Sequence, residues 1–387
     1  MSIVYIGGFE LPDKNAAANL VINMAKTFKI MGEKTYFIGI DKEKNDNTIE
    51  SFSVGDFISL PLKYPNSPFE WIKDNFNTNN LKIRLQYINS IDKIDYIIGY
   101  NLHSLYLNYL LKYSKKNNIK FISNITEWYD YKLSFNLFNN LKVLDNWIVM
   151  NRLQKKSDAL IVVSKFLRNH YKEYNKKILI VPPLVDISEE KWKKKMEKQD
   201  KQLISFVYAG SIEKTGRKDN LHYILEAFCK IRKRNFKFII AGISEDEYLN
   251  TFPEDEIFIN KLESKVKFLG RINHKKTIQL LHNSDCSIFI RDKTRKNMAG
   301  FPTKFVESTT IGLNLICSNI SDVEEYFIKD SLSSLIETNT SDEMLNAIVK
   351  ILNSHEKVVL GRGDKQLSDV FDIKNWEYKI AEFMNGI

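Results

Sequence analysis

The sequence predicts two α/β domains in tandem, each a parallel sheet with helices on both faces. Three observations support this over the 387 residues. Short apolar runs alternate with stretches whose apolar residues recur at helical spacing, a charged polar stretch at residues 189–201 interrupts the pattern, and the pattern then restarts. We expect domains at residues 1–185 and 186–371, with a C-terminal helix at residues 372–387 that packs back on the first domain.

The first half opens with a βαβ unit. Residues 2–6 form an apolar run that ends at Gly7-Gly8, and a helical pattern at 15–31 stops at Gly32. The following elements are predicted in order: strand 35–40, strand 96–100, helix 105–115, strand 120–125, helix 140–156, strand 159–163, helix 165–174 and strand 178–181. This order predicts a doubly wound, Rossmann-like domain.

The second half repeats the rhythm after Pro182-Pro183 and the polar stretch, which we interpret as a linker. Its predicted elements are strand 204–208, helix 219–233, strand 237–241, strand 266–269, helix 273–283, strand 286–290, helix 303–311 and strand 314–317. The final segment, residues 373–383, has Trp376, Ile380 and Phe383 at helical spacing. We therefore predict a second Rossmann-like domain of similar size.

Composition excludes several classes of protein. The chain is 43% hydrophobic, as expected of a folded protein, and contains no apolar run of the roughly 18 to 20 residues that span a bilayer. Its start has neither a basic segment nor a cleavage site, so we expect a cytoplasmic protein. Cys229, Cys286 and Cys317 are odd in number and far apart, which argues against a disulfide framework or a CxxC metal site.

Charge is distributed unevenly. Residues 1–185 carry 25 Lys and Arg against 17 Asp and Glu, whereas residues 186–387 carry 32 against 31. The basic half suits an acidic partner, either an anionic membrane face, a phosphate-bearing substrate or nucleic acid, although a plain solvated surface explains it equally well. Nucleic acid is disfavoured because the chain lacks a compact basic helix and an aromatic RNA-binding signature.

Ligands of open α/β sheets bind at the carboxyl ends of the strands, so the loops there are the candidate sites. Gly7-Gly8 follows the first strand and allows a ligand to approach backbone amides, although a tight turn is an equal alternative. The residues after it do not match GxGxxG, so a dinucleotide site has little support. In the second half, Lys214, Arg217 and Lys218 precede a helix that Asp219 could cap, and this grouping suits a pyrophosphate.

A third loop, residues 291–302, is also basic and leads into a helix that Pro302 is suited to start. Its first turn would offer free amides to a phosphate, with Lys304 as the counter-charge. Glu307 lies one turn further on, where it could accept hydrogen bonds from both ribose hydroxyls or form an ordinary ion pair with Lys304. In the first half, His103 follows one strand and is either a catalytic or a structural histidine. Glu127 follows the next strand, within Glu127-Trp128-Tyr129-Asp130-Tyr131, a segment that could be a carbohydrate platform or a domain-interface cluster.

These features together resemble a GT-B glycosyltransferase of the family 4 type, especially those that build bacterial capsule or O-antigen chains. The resemblance rests on the tandem α/β domains, the glycine loop after the first strand and the basic loop before residue 219. It also rests on Ile161-Val162-Val163-Ser164, on Val181-Pro182-Pro183-Leu184-Val185-Asp186, and on residues 299–307 followed by Gly312. It covers nearly the whole chain in order and is most specific between Gly300 and Gly312.

The resemblance implies a donor site in the second domain, an acceptor site in the first and a cleft between them. It assigns Glu307 to the ribose, Lys218 to the pyrophosphate and residues 300–304 to the distal phosphate. It also places His103 near the transferred sugar. Glu127 is a second candidate catalytic residue. The full set of candidate donor-binding residues is Gly8, Gly210, Ser211, Arg217, Lys218, Arg291, Gly300, Phe301, Pro302, Thr303, Lys304 and Glu307. Two positions depart from the family pattern: Ala299 stands where many relatives have Glu, and Ser211 where many have Arg.

A metal-dependent enzyme should show an Asp-x-Asp motif at a strand end. The nearest acidic clusters, residues 245–247 and 254–256, are better interpreted as solvated acids, so we expect neither a metal nor a cofactor beyond the sugar nucleotide. The resemblance implies a retaining transferase that acts on a glycan, and we expect a lipid-linked acceptor and peripheral contact with anionic lipid. A nucleotide-sugar 2-epimerase on the same fold and a non-enzymatic nucleic-acid-binding protein are the alternatives.

Overall fold

The computed structural model describes residues 1–67, 69–71, 73, 77–175, 177–193, 203–210, 219–231, 235–327, 332–354 and 369–387. These residues form two compact units. The first unit comprises residues 1–186, 298–301 and 373–387, and the second comprises residues 187–297 and 302–372. Residues 194–202, most of the predicted linker, lie outside the described ranges.

The first unit is built on an eight-stranded sheet in the order β10-β9-β8-β7-β1-β2-β5-β4. All neighbouring pairs are parallel except β4 and β5, and β3 pairs separately with β6. The strands are β1 Ser2–Gly7, β2 Lys34–Ile38, β3 Ile40–Asp41, β4 Phe52–Val54, β5 Phe57–Ser59, β6 Leu62–Lys63, β7 Tyr96–Tyr100, β8 Lys120–Ile125, β9 Ala159–Val162 and β10 Ile178–Ile180.

Helices connect these strands and cover the sheet. They are α1 Ala16–Ile30, α2 Asn79–Ile91, α3 Ser104–Lys116, α4 Leu137–Ile148 and α5 Lys165–Tyr171. The Asn15 side chain accepts a hydrogen bond from the Ala18 amide and so caps α1, while Gly32 beyond its end adopts φ +81°, a conformation that glycine takes at little cost. The predicted helix 140–156 is α-helical only to Ile148, and continues as a π-helical turn, Val149–Leu153, and a 3₁₀ turn, Gln154–Lys156.

The second unit is built on a six-stranded parallel sheet in the order β13-β12-β11-β14-β15-β16. Its strands are β11 Ile204–Ala209, β12 Phe236–Ala241, β13 Val266–Phe268, β14 Cys286–Phe289, β15 Asn314–Ser318 and β16 Ser334–Ile336. Counted from its first strand, this is the 3-2-1-4-5-6 order of a Rossmann sheet. The predicted fold class, α/β with doubly wound parallel sheets, is confirmed.

The later helices are α6 Leu221–Cys229, α7 Glu245–Leu249, α8 Glu256–Leu262, α9 His274–His282, α10 Arg295–Ala299, α11 Thr303–Ile311, α12 Ser341–Asn353 and α13 Ile373–Asn385. Helix α11 starts after Pro302 and ends at Gly312, which has φ +75°. Helix α13 belongs to the first unit, where Trp376, Ile380 and Met384 are buried in the same core as α1.

Candidate functional site

Each unit has a switch point, where the strand order reverses and the carboxyl ends of two neighbouring strands diverge. In the second unit it lies between β11 and β14, so Gly210 and Arg291 emerge there on adjacent loops. In the first unit it lies between β1 and β7, which places Gly8 beside the loop that carries His103. Ligands of doubly wound sheets bind at such points, so these two places are the candidate sites.

At the second switch point, one buried carboxylate holds two cations. Asp219 is only 2% exposed, and its two oxygens pair with Arg291 Nε and Lys304 Nζ. Tyr208 donates a third hydrogen bond to the carboxylate, at 2.8 Å from OH to Oδ2. Burial alone would raise the pKa of Asp219, but the charges of Lys304 and Arg291 outweigh it and hold the pKa well below the ordinary 3.8.

Gly210 leaves the space that Lys304 occupies. A Cβ at position 210 would lie 2.1 Å from Lys304 Nζ and 3.1 Å from the Tyr208 hydroxyl, so a side chain there would displace the ammonium group. Lys304 Nζ also lies 4.0 Å from the centre of the Tyr208 ring. Gly210, Arg291 and Lys304, three of the candidate residues, therefore meet around Asp219, which the sequence suggested only as a helix cap.

The role expected for Asp219 itself was wrong. Helix α6 begins at Leu221 with Asn220 as its N-cap, and no side-chain cap bond is present there. The carboxylate instead lies among Lys304, Arg291 and Tyr208, because hydrogen bonds from two cations are stronger than a hydrogen bond from one helix amide.

Glu307 lies on α11, one turn beyond Lys304, but the two residues have different partners. Glu307 Oε1 is 2.9 Å from His274 Nε2, at the first residue of α9, and both side chains are largely buried. Lys304 pairs with Asp219. Pro302 and Thr303 form the start of α11, whereas Gly300 and Phe301 group with the first unit. Ser211, Arg217 and Lys218 lie outside the described residues, as does Lys214.

Ala299, which stands where many relatives carry Glu, contributes a backbone contact instead. Ala299 is fully buried, and its carbonyl oxygen accepts a 2.8 Å hydrogen bond from the Ser164 hydroxyl, which also caps α5 by accepting from the Leu167 amide. Ser164 belongs to one of the segments that carried the family resemblance. The structure thus shows that Ser164 both caps α5 and bonds to the backbone of residue 299, neither of which was predicted from the sequence.

At the first switch point, Gly8 and His103 line a cavity of about 260 Å³ together with Trp71 and Tyr106. A Cβ at Gly8 would meet no atom within 4 Å, whereas one at Gly7 would lie 2.4 Å from the Tyr100 carbonyl oxygen. Because β1 lies so close to β7, only glycine fits at position 7, whereas Gly8 borders open space.

His103 lines this cavity and also a second one of about 240 Å³, which Glu127, Tyr129 and Lys142 line as well. The centre of the imidazole lies 4.3 Å from that of the Tyr106 ring. Burial lowers the pKa of His103 to about 4, so the ring is neutral near pH 7. Its Nδ1 is buried, and no hydrogen-bond partner for that atom lies among the described residues.

Five of the six acids in the two acidic clusters are exposed, as expected of solvated acids, and one of them, Glu247, caps α7 together with Ser244. Asp255 is the exception, because it is fully buried and bonds to His222 Nδ1 and to the Tyr248 hydroxyl. Over the described ranges, no three His, Cys, Asp or Glu side chains come together in a way that could hold a metal ion, and metal independence stays a prediction.

Comparison with known proteins extends this description. Residues 188–359 match the family model described as "Glycosyl transferases group 1". No curated protein matches the chain by sequence. Within the described part of the chain, no helix is both long enough and apolar enough to cross a membrane.

Solved structures cover almost the whole chain at low identity. Sucrose-phosphate synthase from Thermosynechococcus elongatus has a TM-score of 0.74 at 11% identity, with 100% of this chain and 98% of that one covered. HepE of Anabaena, in complex with UDP and glucose, has a TM-score of 0.66 at 14% identity with both chains fully covered. The lipopolysaccharide outer core galactosyltransferase WaaB has a TM-score of 0.62 at 14% identity, with 99% of each chain covered. The chain thus has the GT-B fold, its residues 188–359 are similar to the glycosyl transferases of group 1, and the prediction of a glycosyltransferase is confirmed.

Proposed function

We propose that this glycosyltransferase moves a sugar from a nucleoside diphosphate sugar to a glycan hydroxyl, with retention of the anomeric configuration. The observation that carries the proposal is the cation pair Arg291 and Lys304 at the switch point of the matched domain, beside the start of α11. Two cations and a helix N-terminus are suited to the negative charge of a diphosphate. HepE, which has a similar fold, was solved in complex with UDP and glucose. This supports a nucleoside diphosphate sugar as the donor of the present protein.

In the proposed reaction, the bond between the anomeric carbon and the diphosphate oxygen breaks, and a bond to the acceptor oxygen forms on the same face of the sugar. The diphosphate departs with the bonding electrons, and the proton of the acceptor hydroxyl passes to the departing diphosphate oxygen. Lys304, Arg291 and the first amides of α11 stabilise the charge that develops on the leaving group. Asp219 leaves the cluster with one net positive charge and holds Arg291 and Lys304 side by side.

We assign Glu307 to the ribose hydroxyls, with His274 holding its carboxylate in position. In the first unit, neutral His103 and Glu127 are proposed to act on the transferred sugar and the acceptor, since His103 lines both cavities and Glu127 lines the second. We further propose a lipid-linked acceptor in bacterial surface polysaccharide synthesis at the cytoplasmic face of the membrane. The positive charge of residues 1–185 supports this location.

Titration calorimetry with nucleoside diphosphates and with the corresponding nucleosides tests the donor site. Lys304→Ala should weaken diphosphate binding at least about tenfold, as expected for a charged hydrogen bond, and leave nucleoside binding nearly unchanged. Lys293→Ala is the matched control, because this exposed lysine of the same basic loop pairs with Glu337. Equal diphosphate affinities for the two variants would contradict the assignment.

Turnover tests the reaction class. Incubation with the nucleotide sugar and a glycan acceptor should release the nucleoside diphosphate and extend the glycan, and the product's anomeric configuration reports retention or inversion. An epimer of the sugar nucleotide formed without any acceptor would overturn the transferase proposal in favour of the epimerase.

A further inference from the structure

Helix α4 presents its apolar residues to solvent. It is described over its whole length, and none of its twelve residues is buried. Leu137, Leu141 and Leu144 recur at spacings of four and three, so they share one face, and they are 75%, 39% and 53% exposed. The preceding loop adds Leu133 and Phe135, and Trp147 follows near the end of the helix. We name this surface the apolar ridge: Leu133, Phe135, Leu137, Leu141, Leu144 and Trp147.

The inner side of α4 is attached to the first unit mainly by polar groups. Asp145 Oδ1 accepts a 2.8 Å hydrogen bond from the Ser104 amide at the start of α3. Asn146 donates to the Tyr129 carbonyl at 3.3 Å, and the Phe138 ring centre lies 5.4 Å from that of Trp71. The three leucines of the helix nevertheless lie outward, whereas a helix of a soluble domain normally buries its apolar stripe.

The loop before α4 is held in place, so its exposed residues are not simply a frayed end. Asn139 Nδ2 donates to the Lys132 carbonyl at 2.6 Å, and Asn140 exchanges hydrogen bonds of 2.8 and 2.9 Å with the backbone of Ser134. Asn136 caps the helix by accepting from the Phe138 amide. These bonds fix Leu133 and Phe135 on the outside, where they extend the ridge.

The charges around the ridge are almost all positive. Residues 131–156 contain a single acidic residue, Asp145, which is half-buried and bonded to Ser104. Their five basic residues are Lys132, Lys142, Arg152, Lys155 and Lys156. Arg152 lies over the Trp147 ring at 5.5 Å, and Lys155 over the exposed Tyr174 ring at 3.4 Å. Leucines bordered by tryptophan, tyrosine and basic residues are typical of surfaces that enter a bilayer interface.

We propose that the apolar ridge inserts into the headgroup region of an anionic bilayer. The positive border favours anionic lipid over a second copy of this chain, since two such borders would repel each other. Lys142, Asp145 and Asn146 of the same helix line the 240 Å³ cavity, so a bilayer against the outer face would be about one helix diameter, roughly 10 Å, from that cavity. A lipid-linked acceptor could then reach the cavity while its lipid stays in the membrane, and this last step rests on the proposed function.

Vesicle co-sedimentation without donor or acceptor tests the ridge. The full-length chain should bind vesicles of phosphatidylcholine mixed with phosphatidylglycerol, and bind pure phosphatidylcholine far less. The double variant Leu141→Ser/Leu144→Ser should bind the mixed vesicles about tenfold or more weakly, given the free energy of inserting each apolar group. The matched control is Ile83→Ser/Tyr87→Ser, two exposed positions one turn apart on α2.

A second variant tests the charge. Arg152→Glu/Lys155→Glu should also reduce binding to mixed vesicles roughly tenfold or more, because each basic residue near an anionic surface contributes and the reversal adds repulsion. Equal binding of the parent to neutral and mixed vesicles, or equal losses in the ridge and control variants, would overturn the proposal. So would a parent dimer that the ridge variant dissociates while neither protein binds vesicles.

The outcomes separate this proposal from the proposed function. If the vesicle results hold but the nucleotide titrations fail, the chain is a membrane-binding protein whose donor site is assigned wrongly. If the titrations hold and the ridge variant sediments like the parent, the transferase assignment stands and the ridge proposal fails.

Discussion

At the scale of single residues, the donor region depends on an aspartate shared by two cations. Asp219 lies 72 positions before Arg291 and 85 before Lys304, so nothing local in the sequence links them. Its position before a helix instead suggested a cap. Each cation of the pair is held by charge and by hydrogen bonding, which fixes Arg291 beyond the end of β14 and Lys304 in the first turn of α11 before any ligand binds.

We expect Asp219→Asn to lower the free energy of unfolding by about 3 to 5 kcal/mol, because it leaves two cations beside a buried neutral amide. Urea denaturation at pH 7 measures this. Asp342→Asn, which removes an exposed partner of Lys230, should change it by less than about 0.5 kcal/mol. Equal effects of the two changes would contradict the buried pairing.

The same residue should give a pH signature. Its pKa is lowered in the folded state, so the unfolded chain takes up a proton first as the pH falls. The stability advantage of the parent over Asp219→Asn should be fully present above the ordinary pKa of 3.8 and should shrink as the pH falls below it. An advantage that stays constant down to pH 2.5 would show that the carboxylate is not held in its charged form.

At the scale of elements, the buried strands were predictable and the edge of the first sheet was not. β7 and β8 have the predicted bounds, since strands buried on both faces appear as continuous apolar runs. No element was predicted between residues 41 and 95, where β4 and β5 have three residues each. Helix α2 lies there too, and its apolar pattern is interrupted by a buried Arg84.

Arg84 shows why pattern reasoning fails in that segment. Its guanidinium is 1% exposed and donates to the carbonyls of Leu60, Pro61, Asn80, Asn47 and Thr48. A charged side chain at a core position is tolerated because backbone oxygens satisfy it, and those partners come from loops that only the folded chain brings together. For the same reason His274, the partner of Glu307, could not be found from the sequence, 33 positions away.

Helix α11 should divide its contacts between ribose and phosphate. We expect Glu307→Gln to weaken nucleoside diphosphate binding by about 1.5 to 3 kcal/mol, the range for hydrogen bonds to a charged group, and to leave pyrophosphate binding unchanged. His274→Gln should act in the same direction but less, because it only orients Glu307. Calorimetry with both ligands measures this, with Glu226→Gln on α6 as the control. Loss of pyrophosphate binding in Glu307→Gln would contradict the ribose assignment.

At the scale of the whole molecule, the end of the chain completes the core of its first unit. Ile373 N donates to the Val185 carbonyl at 2.9 Å, and the Tyr96 hydroxyl donates to the Met384 carbonyl at 3.2 Å. Trp376, Ile380 and Met384 are buried there. Helical spacing in the sequence was enough to predict this helix, but its particular contacts with Val185 and Tyr96 arise from long-range packing that the sequence does not show.

This arrangement predicts that a change in the last 15 residues destabilises the first unit and spares the donor site. Ile380 is fully buried, so Ile380→Ala should cost about 2 to 5 kcal/mol of unfolding free energy, the usual cost of a cavity in a packed core. Tyr378 is two positions away on the same helix and 77% exposed, so Tyr378→Ala should change it by less than about 0.5 kcal/mol. Because Gly210, Arg291, Lys304 and Glu307 belong to the second unit, nucleoside diphosphate affinity at 20 °C should stay within about twofold of the parent in both variants. Thermal unfolding and calorimetry on the same samples measure the two quantities, and equal losses of stability in the two variants would show that α13 is not part of the core.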